Sequence, residues 1–299
     1  MAGSSVSYRT FGRFLRGLRK QAGKSLLAAG LQIEVSPPTV MRLEDGLPSK
    51  VTTPQIERLL DFYEVDRESR TEALRLWVEV REQAKAAKLQ GNSKGFWRAY
   101  ADQYFSYFPH YLRLETDANR ITTHQLVLVP GLLQTPDYRR AIAKIEDPDL
   151  SAVDTERRLE LNSRRQAKLD DNNLRLNVLL SEAVLRHQPG GPAVMADQLR
   201  WLCQAGQRDN ISIRVVPFRS GSHRGLTIQS FTLLEFPHLD SGLTEPPVAY
   251  IEGAIGALYH EREDVIDQYR EAISSLRAVA LTEGDTQRMM LDIAKEYEA

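Results

Sequence analysis

The sequence contains very little cysteine and no long apolar segment. Cys203 is the single cysteine, so the chain cannot form an internal disulfide or a zinc site built on paired cysteines. This is typical of a reducing compartment, and we expect a cytoplasmic protein. No run approaches the roughly 18 apolar residues of a membrane span, and the N-terminus has no apolar secretion signal. We therefore expect no membrane partner.

The chain also has almost no net charge, but its charges are unevenly distributed. Its 39 basic and 40 acidic residues leave a net charge of −1, which argues against general attraction to nucleic acid or anionic lipid. Residues 1–33 nevertheless contain no acidic residue, and residues 1–50 carry a net charge of +5 against −6 for the remainder. Such asymmetry is a hint of a nucleic-acid-binding segment, although charge runs are often only solvated surface and organellar leaders share this bias.

The length and composition indicate two folded domains. The 299 residues exceed what one core usually supports, which is about 250 residues. The hydrophobic fraction of 42% and the charged fraction of 26% are close to the averages for globular chains, which excludes a disordered or fibrous protein.

Three short helices are predicted near the N-terminus. The first has apolar residues at helical spacing and ends at Gly23; these residues are Phe11, Leu15, Leu18 and Ala22. The second covers residues 25–32. Ser36 suits the N-cap of the third helix, and Pro37 suits its first position, where the missing N–H would have no partner anyway.

The third helix has two distinct faces. Val40 and Leu43 lie on one face, and Thr39 and Arg42 project from another. Two short helices joined by a tight turn, the second carrying polar side chains, form a helix-turn-helix, which places a recognition helix in the major groove of DNA.

Residues 11–64 contain FGRFLRGLRKQAG, SLLAAGLQIEVSPPTVMRLEDG and TPQIERLLDFYEV, and they resemble the Xre-type (lambda repressor-like) helix-turn-helix domain. The resemblance implies an all-α DNA-binding domain over residues 1–65, which binds double-stranded DNA as a homodimer. The sequence departs from the family at Glu34, where glycine is usual, and at Leu26, where glutamine is frequent. A non-glycine residue at the turn puts the turn geometry in question.

Several residues of this segment are predicted to contact DNA: Lys24, Ser25, Ser36, Pro37, Pro38, Thr39 and Arg42. The two prolines have no N–H to donate, so they offer apolar contact only, which leaves Arg42 as the strongest base reader. The family also pairs an arginine of the first helix with a glutamate that ends the third, and the matching positions are Arg19 and Glu44. We expect this pair to be structural.

The rest of the chain is predicted to be a connecting helix and linker over residues 66–95 and a mixed α/β domain over residues 96–299. The connecting helix covers residues 66–89 and is followed by the polar Gly91-Asn92-Ser93. Residues 174–180, 211–218, 226–236 and 248–251 are predicted as strands, whereas residues 156–169, 193–205, 263–282 and 285–297 are predicted as helices.

The second domain also carries a family resemblance. The ordered pieces WRAYADQYFSYFPHYLRLE, LVPGLLQTPDY, SEAVLRHQPGG, IRVVPFRSGSHRG, SFTLLEFP and VAYIEG resemble the C-terminal domain of a large family of actinobacterial Xre-type regulators. That resemblance implies a transcription regulator, often encoded beside a small partner protein, and it supplies no ligand.

No motif of this domain indicates catalysis, a cofactor or a metal. The histidines and glutamates are not spaced like HExxH, and no GxSxG elbow or phosphate-binding glycine loop occurs. We therefore expect a non-enzymatic domain that senses a small-molecule effector or docks a small partner protein; the alternative is a hydrolase-type domain. The aromatic-rich segment and two loops suggest a pocket formed by Trp97, Tyr100, Tyr104, Leu133 and His223.

Overall fold

The structure, a computed structural model, describes residues 6–47, 49–89, 96–100, 102–104, 108–237, 245–254 and 256–298. Pro48, the linker Gly91-Asn92-Ser93, Phe105 and Tyr107 lie outside these ranges. The chain divides into two compact units, one of Met1–Arg98 with Phe236–Glu245 and one of Ala99–Glu235 with Pro246–Ala299. An all-α N-terminal region is thus followed by a mixed α/β region, as the sequence predicts.

The first unit contains five helices among its described residues: α1 (Val6–Gln21), α2 (Leu26–Gln32), α3 (Pro37–Glu44), α4 (Thr53–Phe62) and α5 (Arg67–Leu89). Their apolar residues form one core, which includes Phe11 and Leu15 of α1 and Leu43 of α3. α5, which corresponds to the predicted connecting helix over residues 66–89, contributes Leu76 and Trp77 to this core. The ring centroid of Trp77 lies 5.0 Å from that of Phe11. The first part of α5 therefore packs as a helix of the DNA-binding unit.

The turn between α2 and α3 has the tight geometry that the helix-turn-helix needs. Glu34 adopts a left-handed backbone with φ of +58°, so a non-glycine residue occupies the strained turn position. A Cβ on Gly30 would lie 2.7 Å from the carbonyl oxygen of Val35, and the Val35 N–H donates to the Gly30 carbonyl at 2.9 Å. Only glycine fits at position 30, because the backbone after the turn passes directly against it.

The second unit is built on one six-stranded sheet in the order β3-β2-β1-β4-β5-β6. The strands are β1 (Arg120–Gln125), β2 (Arg175–Ser181), β3 (Ile211–Val216), β4 (Phe231–Glu235), β5 (Val248–Gly253) and β6 (Gly256–His260). β1, β2 and β3 pair in parallel, and β1, β4, β5 and β6 pair antiparallel.

Helices surround this sheet: α6 (Phe108–Asp117), α7 (Pro136–Glu146), α8 (Ala152–Gln166), α9 (Glu182–Arg186), α10 (Pro192–Ala205), α11 (Glu263–Val279) and α12 (Glu283–Glu296). α7 and α8 lie in the crossover from β1 to β2, and α9 and α10 in the crossover from β2 to β3. One face of the sheet packs against α11, where Phe231 and Leu233 of β4 meet Ile273 and Leu276.

The sequence predicts four of the strands and misses two. β1 was missed because its sequence, RITTHQ, is polar, yet Thr122, Thr123 and His124 are buried in the middle of the sheet. β6 was missed because it is a short strand at the edge of the sheet, where it pairs with β5 alone. The predicted strand over 226–236 is too long at its start, since residues 224–226 form a 3₁₀ helix and β4 begins at Phe231.

The aromatic residues over 97–111 do not lie on one helix. The described residues form a 3₁₀ helix over Phe96–Tyr100, and α6 begins separately at Phe108. The helical spacing of these aromatic residues therefore does not reflect one common helical face.

Candidate functional site

α3 is the candidate DNA-reading helix. Ser36 occupies its N-cap position with an extended backbone, and the first two helical residues are prolines. The Ser36 hydroxyl makes no capping bond to a backbone N–H, which differs from our expectation. Because Pro37 and Pro38 have no N–H, the first available donor is that of Thr39, which bonds to the Ser36 carbonyl at 2.8 Å. The hydroxyls of Ser36 and Thr39 instead bond to each other at 3.0 Å.

The predicted DNA contacts of α3 lie away from the core. Ser36 and Pro38 are exposed, and Pro37, Thr39 and Arg42 are half-buried. The opposite face of the helix carries Val40 and Leu43, which are buried. The helix therefore presents its polar side chains on the face that the core does not occupy.

The two predicted contacts before α2 have local roles as well. The exposed Ser25 caps α2, because its Oγ accepts from the backbone N–H of Ala28 at 3.1 Å. The ammonium of Lys24 lies 4.7 Å from the ring centroid of Phe62, a cation–π contact. Both residues directly precede α2, at its N-terminal end.

Arg19 and Glu44 form the ion pair that fixes α1 to the end of α3. The Arg19 guanidinium donates to both Glu44 carboxylate oxygens, at 2.6 and 2.9 Å, and Glu44 is buried. Arg19 also donates to the Lys24 carbonyl at 2.9 Å. Hydrogen bonding to Glu44 raises the pKa of Arg19. This buried bidentate pair joins α1, the α2 start and the α3 end, and so it orients the recognition helix.

A second buried acid enters the first unit from a distant part of the chain. Glu245 is 1% exposed, and its Oε1 accepts from the Thr10 hydroxyl at 2.7 Å. Its Oε2 lies 3.2 Å from the Arg9 Nε and 3.6 Å from the Arg13 guanidinium. The Arg9 guanidinium also lies 5.0 Å from the ring centroid of Phe236. Sequence reasoning missed Glu245, because a single glutamate in a loop has no local signal.

The second unit contains a cavity of about 580 Å³ on the sheet face opposite α11. Its floor includes Thr123 of β1, Thr232 of β4 and Tyr250 of β5, which are neighbours in the strand register. Its walls come from α6, α7, α8 and the loop that contains the VPGLLQ motif. Parallel crossovers place helices over a sheet, and here α7 and α8 leave a concave space above β1.

Aromatic rings form one wall of this cavity. Ring centroids are separated by 6.0 Å between Tyr104 and Phe108, by 5.5 Å between Phe108 and Tyr111, and by 4.3 Å between Tyr111 and Tyr250. Burial raises the pKa of Tyr111 and of Tyr250, so both phenols stay neutral.

A buried arginine fixes this aromatic wall. The Arg165 guanidinium lies 5.4 Å from the centroid of Phe108 and donates to both oxygens of Glu115, at 2.8 and 2.9 Å. The pair holds α6 against α8. The structure thereby gives the cavity one rigid side.

Of the predicted pocket residues, Tyr104 lines the cavity and the others lie outside its lining. Trp97 is buried and belongs to the first unit. Tyr100 is buried beneath Arg164, whose guanidinium lies 5.6 Å from its ring centroid. Leu133 is fully buried, and the half-buried His223 precedes the 3₁₀ helix over 224–226.

Two further findings bear on the function. In the described ranges, no group of three or more histidine, cysteine or acidic side chains is arranged to hold a metal ion. None of the helices in these ranges combines the length and the apolar character that crossing a membrane requires.

Comparison with known families gives one match for each part of the chain. The model of a helix-turn-helix domain matches residues 10–73. The model described as a domain of unknown function (DUF5753) matches residues 108–292, more than half of the chain. No curated protein and no solved structure matches the chain significantly.

Proposed function

The chain belongs to the DUF5753 family and carries a helix-turn-helix domain, and from this premise we propose that it is a transcription regulator. It binds specific duplex DNA through α3, and its C-terminal domain changes the DNA affinity when the cavity binds a small-molecule effector. The helix-turn-helix match, the positive charge of residues 1–50 and the outward polar face of α3 support the DNA-binding part.

The observation that carries the regulatory part is the position of Glu245. The segment Phe236–Glu245 joins β4 to β5 and groups with the first unit. Thr232 on β4 and Tyr250 on β5 line the cavity. Both ends of the connecting segment meet Arg9 of α1, one through the Phe236 ring and one through the Glu245 carboxylate.

This connection supplies a physical route from effector to operator. A ligand that shifts β4 or β5 acts on the connecting segment, which is covalently joined to both strands, and through it on the ion pair of Glu245 with Arg9. Since unpaired buried charges are costly, α1 is forced to adjust with the segment. α1 also holds α3 through the Arg19–Glu44 pair, so the adjustment reaches the recognition helix.

DNA binding is tested by selecting duplexes from a random-sequence pool with the full chain. We expect enrichment of one sequence with two related half-sites, since one short helix reads few base pairs. Binding that depends only on salt, with no enriched sequence, would contradict the proposal.

Regulation is tested by operator titration with and without cell extract that has been separated by size. We expect a small-molecule fraction to shift operator affinity by about 5- to 150-fold, the usual size of allosteric coupling. The variant Glu245→Gln should bind operator but lose this shift, because the neutral amide no longer pairs with Arg9. Phe236→Ala should also reduce the shift in operator affinity, because it removes the ring that contacts the Arg9 guanidinium.

The matched control is Glu263→Gln, an exposed glutamate at the start of α11. Its response should equal that of the unmodified protein. If Glu245→Gln responds as strongly as this control, the connecting segment does not carry the coupling. A shift caused only by a protein fraction would replace the effector with a docking partner.

A further inference from the structure

We propose that the cavity of the second unit binds an uncharged aromatic compound that carries N–H or O–H groups. This inference rests on the proposed use of the cavity as the effector site, and it adds the chemical class of the effector. The volume of about 580 Å³ falls within the roughly 300–1,000 Å³ of small-molecule sites.

The aromatic wall favours a flat ring. Tyr104, Phe108, Tyr111 and Tyr250 form a continuous series of ring contacts, and all four line the cavity. Aromatic side chains pair with other rings in offset or edge-on geometry. The remaining lining includes aliphatic residues such as Ile121, Leu161 and Leu176, which complete an apolar surface.

The charges around the cavity favour a neutral ligand. The arginines of the lining are already paired with acids. Arg139 lies 3.1 Å from Glu146, and Arg158 lies 3.6 Å from Glu146 and 3.7 Å from Asp147. Arg165 is bound to Glu115. Each of these cations already has an acidic partner.

The remaining acids of the lining are either paired or exposed to solvent. Asp102 forms an ion pair with Arg157. Glu252 is exposed, so solvent screens its charge. A charged ligand would have to compete with these pairs for a counter-charge, and burying an unpaired charge is unfavourable.

The side-chain oxygens of two glutamines indicate that the ligand carries hydrogen-bond donors. Gln103 donates its amide N–H groups to Asp102 at 2.9 Å and to Asp154 at 2.7 Å, and Gln134 donates to the Val129 carbonyl at 2.8 Å. These bonds fix both amides with their oxygens free. Among the described residues, neither Oε1 has a hydrogen-bond partner, and both are shielded from solvent.

Both glutamines line the cavity, and their side chains are more than nine-tenths buried, at 8% and 6% exposure. Buried acceptors without partners are rare, since each loses its hydration on folding. A ligand N–H or O–H satisfies them, whereas a ligand with acceptors alone does not. The ligand is therefore a donor-bearing aromatic compound.

The test compares three small probes on the full chain by saturation-transfer NMR titration. Resorcinol is neutral and has O–H donors, its dimethyl ether has the same ring without donors, and isophthalate carries two charges. We expect resorcinol to bind at least about fivefold more tightly than the other two, the ratio that one net hydrogen bond of about 1 kcal/mol provides.

Three variants locate the binding. Gln134→Leu should remove most of the preference for resorcinol over the ether. Leu128→Trp places a larger side chain in the cavity and should weaken the binding of all three probes. Gln268→Leu on the exposed side of α11 should change nothing. Circular dichroism checks that each variant is folded.

Equal binding of the ether or tighter binding of isophthalate would overturn the ligand class. Failure of all three probes to bind saturably, or resorcinol binding that Leu128→Trp does not weaken, would also overturn it. These titrations contain no DNA, and the operator titration is run separately. If the probes do not bind as expected but the operator titration still shows regulated DNA binding, the ligand class is wrong and the proposed function stands.

Discussion

At the scale of single residues, the DNA-binding unit depends on two buried carboxylates with different origins. Glu44 joins α3 to α1 through Arg19, and the two residues are 25 positions apart within the helix-turn-helix segment. Glu245 meets Arg9 and Thr10 from far along the chain. Glu44 and Glu245 are both buried, so neither contact is a loose surface pair, and truncation of either carboxylate should cost about 3–5 kcal/mol.

Arg42 is the first residue at which the proposed DNA reading can be checked. Replacing Arg42 by Ala should cost about 1–3 kcal/mol of binding free energy at one base pair of the selected operator and relax specificity there. Binding is measured by titration on the operator and on single-base variants of it. Arg288→Ala in α12 is the matched control.

The pattern of loss decides the role of Arg42. Equal loss on operator and random DNA would mean that it contacts phosphate only. Unchanged operator binding would remove it from the interface.

His124 gives a pH-dependent contribution to stability. Burial lowers the pKa of this imidazole, a hydrogen bond to the Leu179 carbonyl opposes the shift, and the charge of His223 adds to it. Below the ordinary value of 6.5, the unfolded chain takes up a proton that the folded chain does not. The free energy of unfolding should therefore fall as the pH falls through that range.

Urea unfolding at a series of pH values measures this effect. The variant His124→Gln should show a shallower fall in the free energy of unfolding between about pH 7 and pH 5, because its side chain binds no proton. His187→Gln, which changes an exposed histidine, is the control. An unchanged slope in His124→Gln would assign the pH dependence to other groups.

At the scale of elements, α5 shows how packing defines a unit. Leu76 of α5 is fully buried in the core of the first unit, whereas Val78 of the same helix is 58% exposed. Leu76→Ala should lower the free energy of unfolding by about 2–5 kcal/mol. Val78→Ala should change it by less than about 0.5 kcal/mol, since it removes exposed surface only.

Chemical denaturation of the full chain compares the two variants by fluorescence, with Trp97 and Trp201 replaced by Phe so that Trp77 is the reporting tryptophan. Trp77 is buried in the core and is the tryptophan that contacts Phe11. Equal effects of the two changes would mean that α5 does not belong to this core in solution.

At the scale of the whole molecule, we expect the active species to be a symmetric dimer. Two recognition helices related by a two-fold axis read half-sites about 10 base pairs apart, or a multiple of that distance. Light scattering of the complex should give twice the monomer mass after the mass of the operator duplex is subtracted. An operator whose spacing is changed by about half a helical turn should bind much more weakly, because the second half-site then faces away.

The control is the same operator with one full turn inserted or removed. A monomer mass both free and on DNA would contradict the dimer. Equal affinity for the half-turn and full-turn spacings would contradict the paired half-sites.

The sequence by itself determined the local features of this protein. The Ser36-Pro37-Pro38 start, the apolar spacing of α1 and the small Gly30 are enough to predict the helix-turn-helix, since each acts on its own or neighbouring turns. Four strands and the later helices were predicted for the same reason. These patterns depend on residues a few positions apart, so the chain shows them directly.

Only the tertiary structure decided the contacts between distant segments. β1 forms a strand because β2 and β4 pair with its backbone on both edges, which places it in the middle of the sheet, although RITTHQ has no apolar pattern of its own. Gln103, Tyr250 and Arg165 meet at one cavity from separate elements, and Glu245 meets Arg9 across most of the chain. Such pairings carry no periodic signal, because their free energy arises from burial and charge pairing that exist only once the chain has folded.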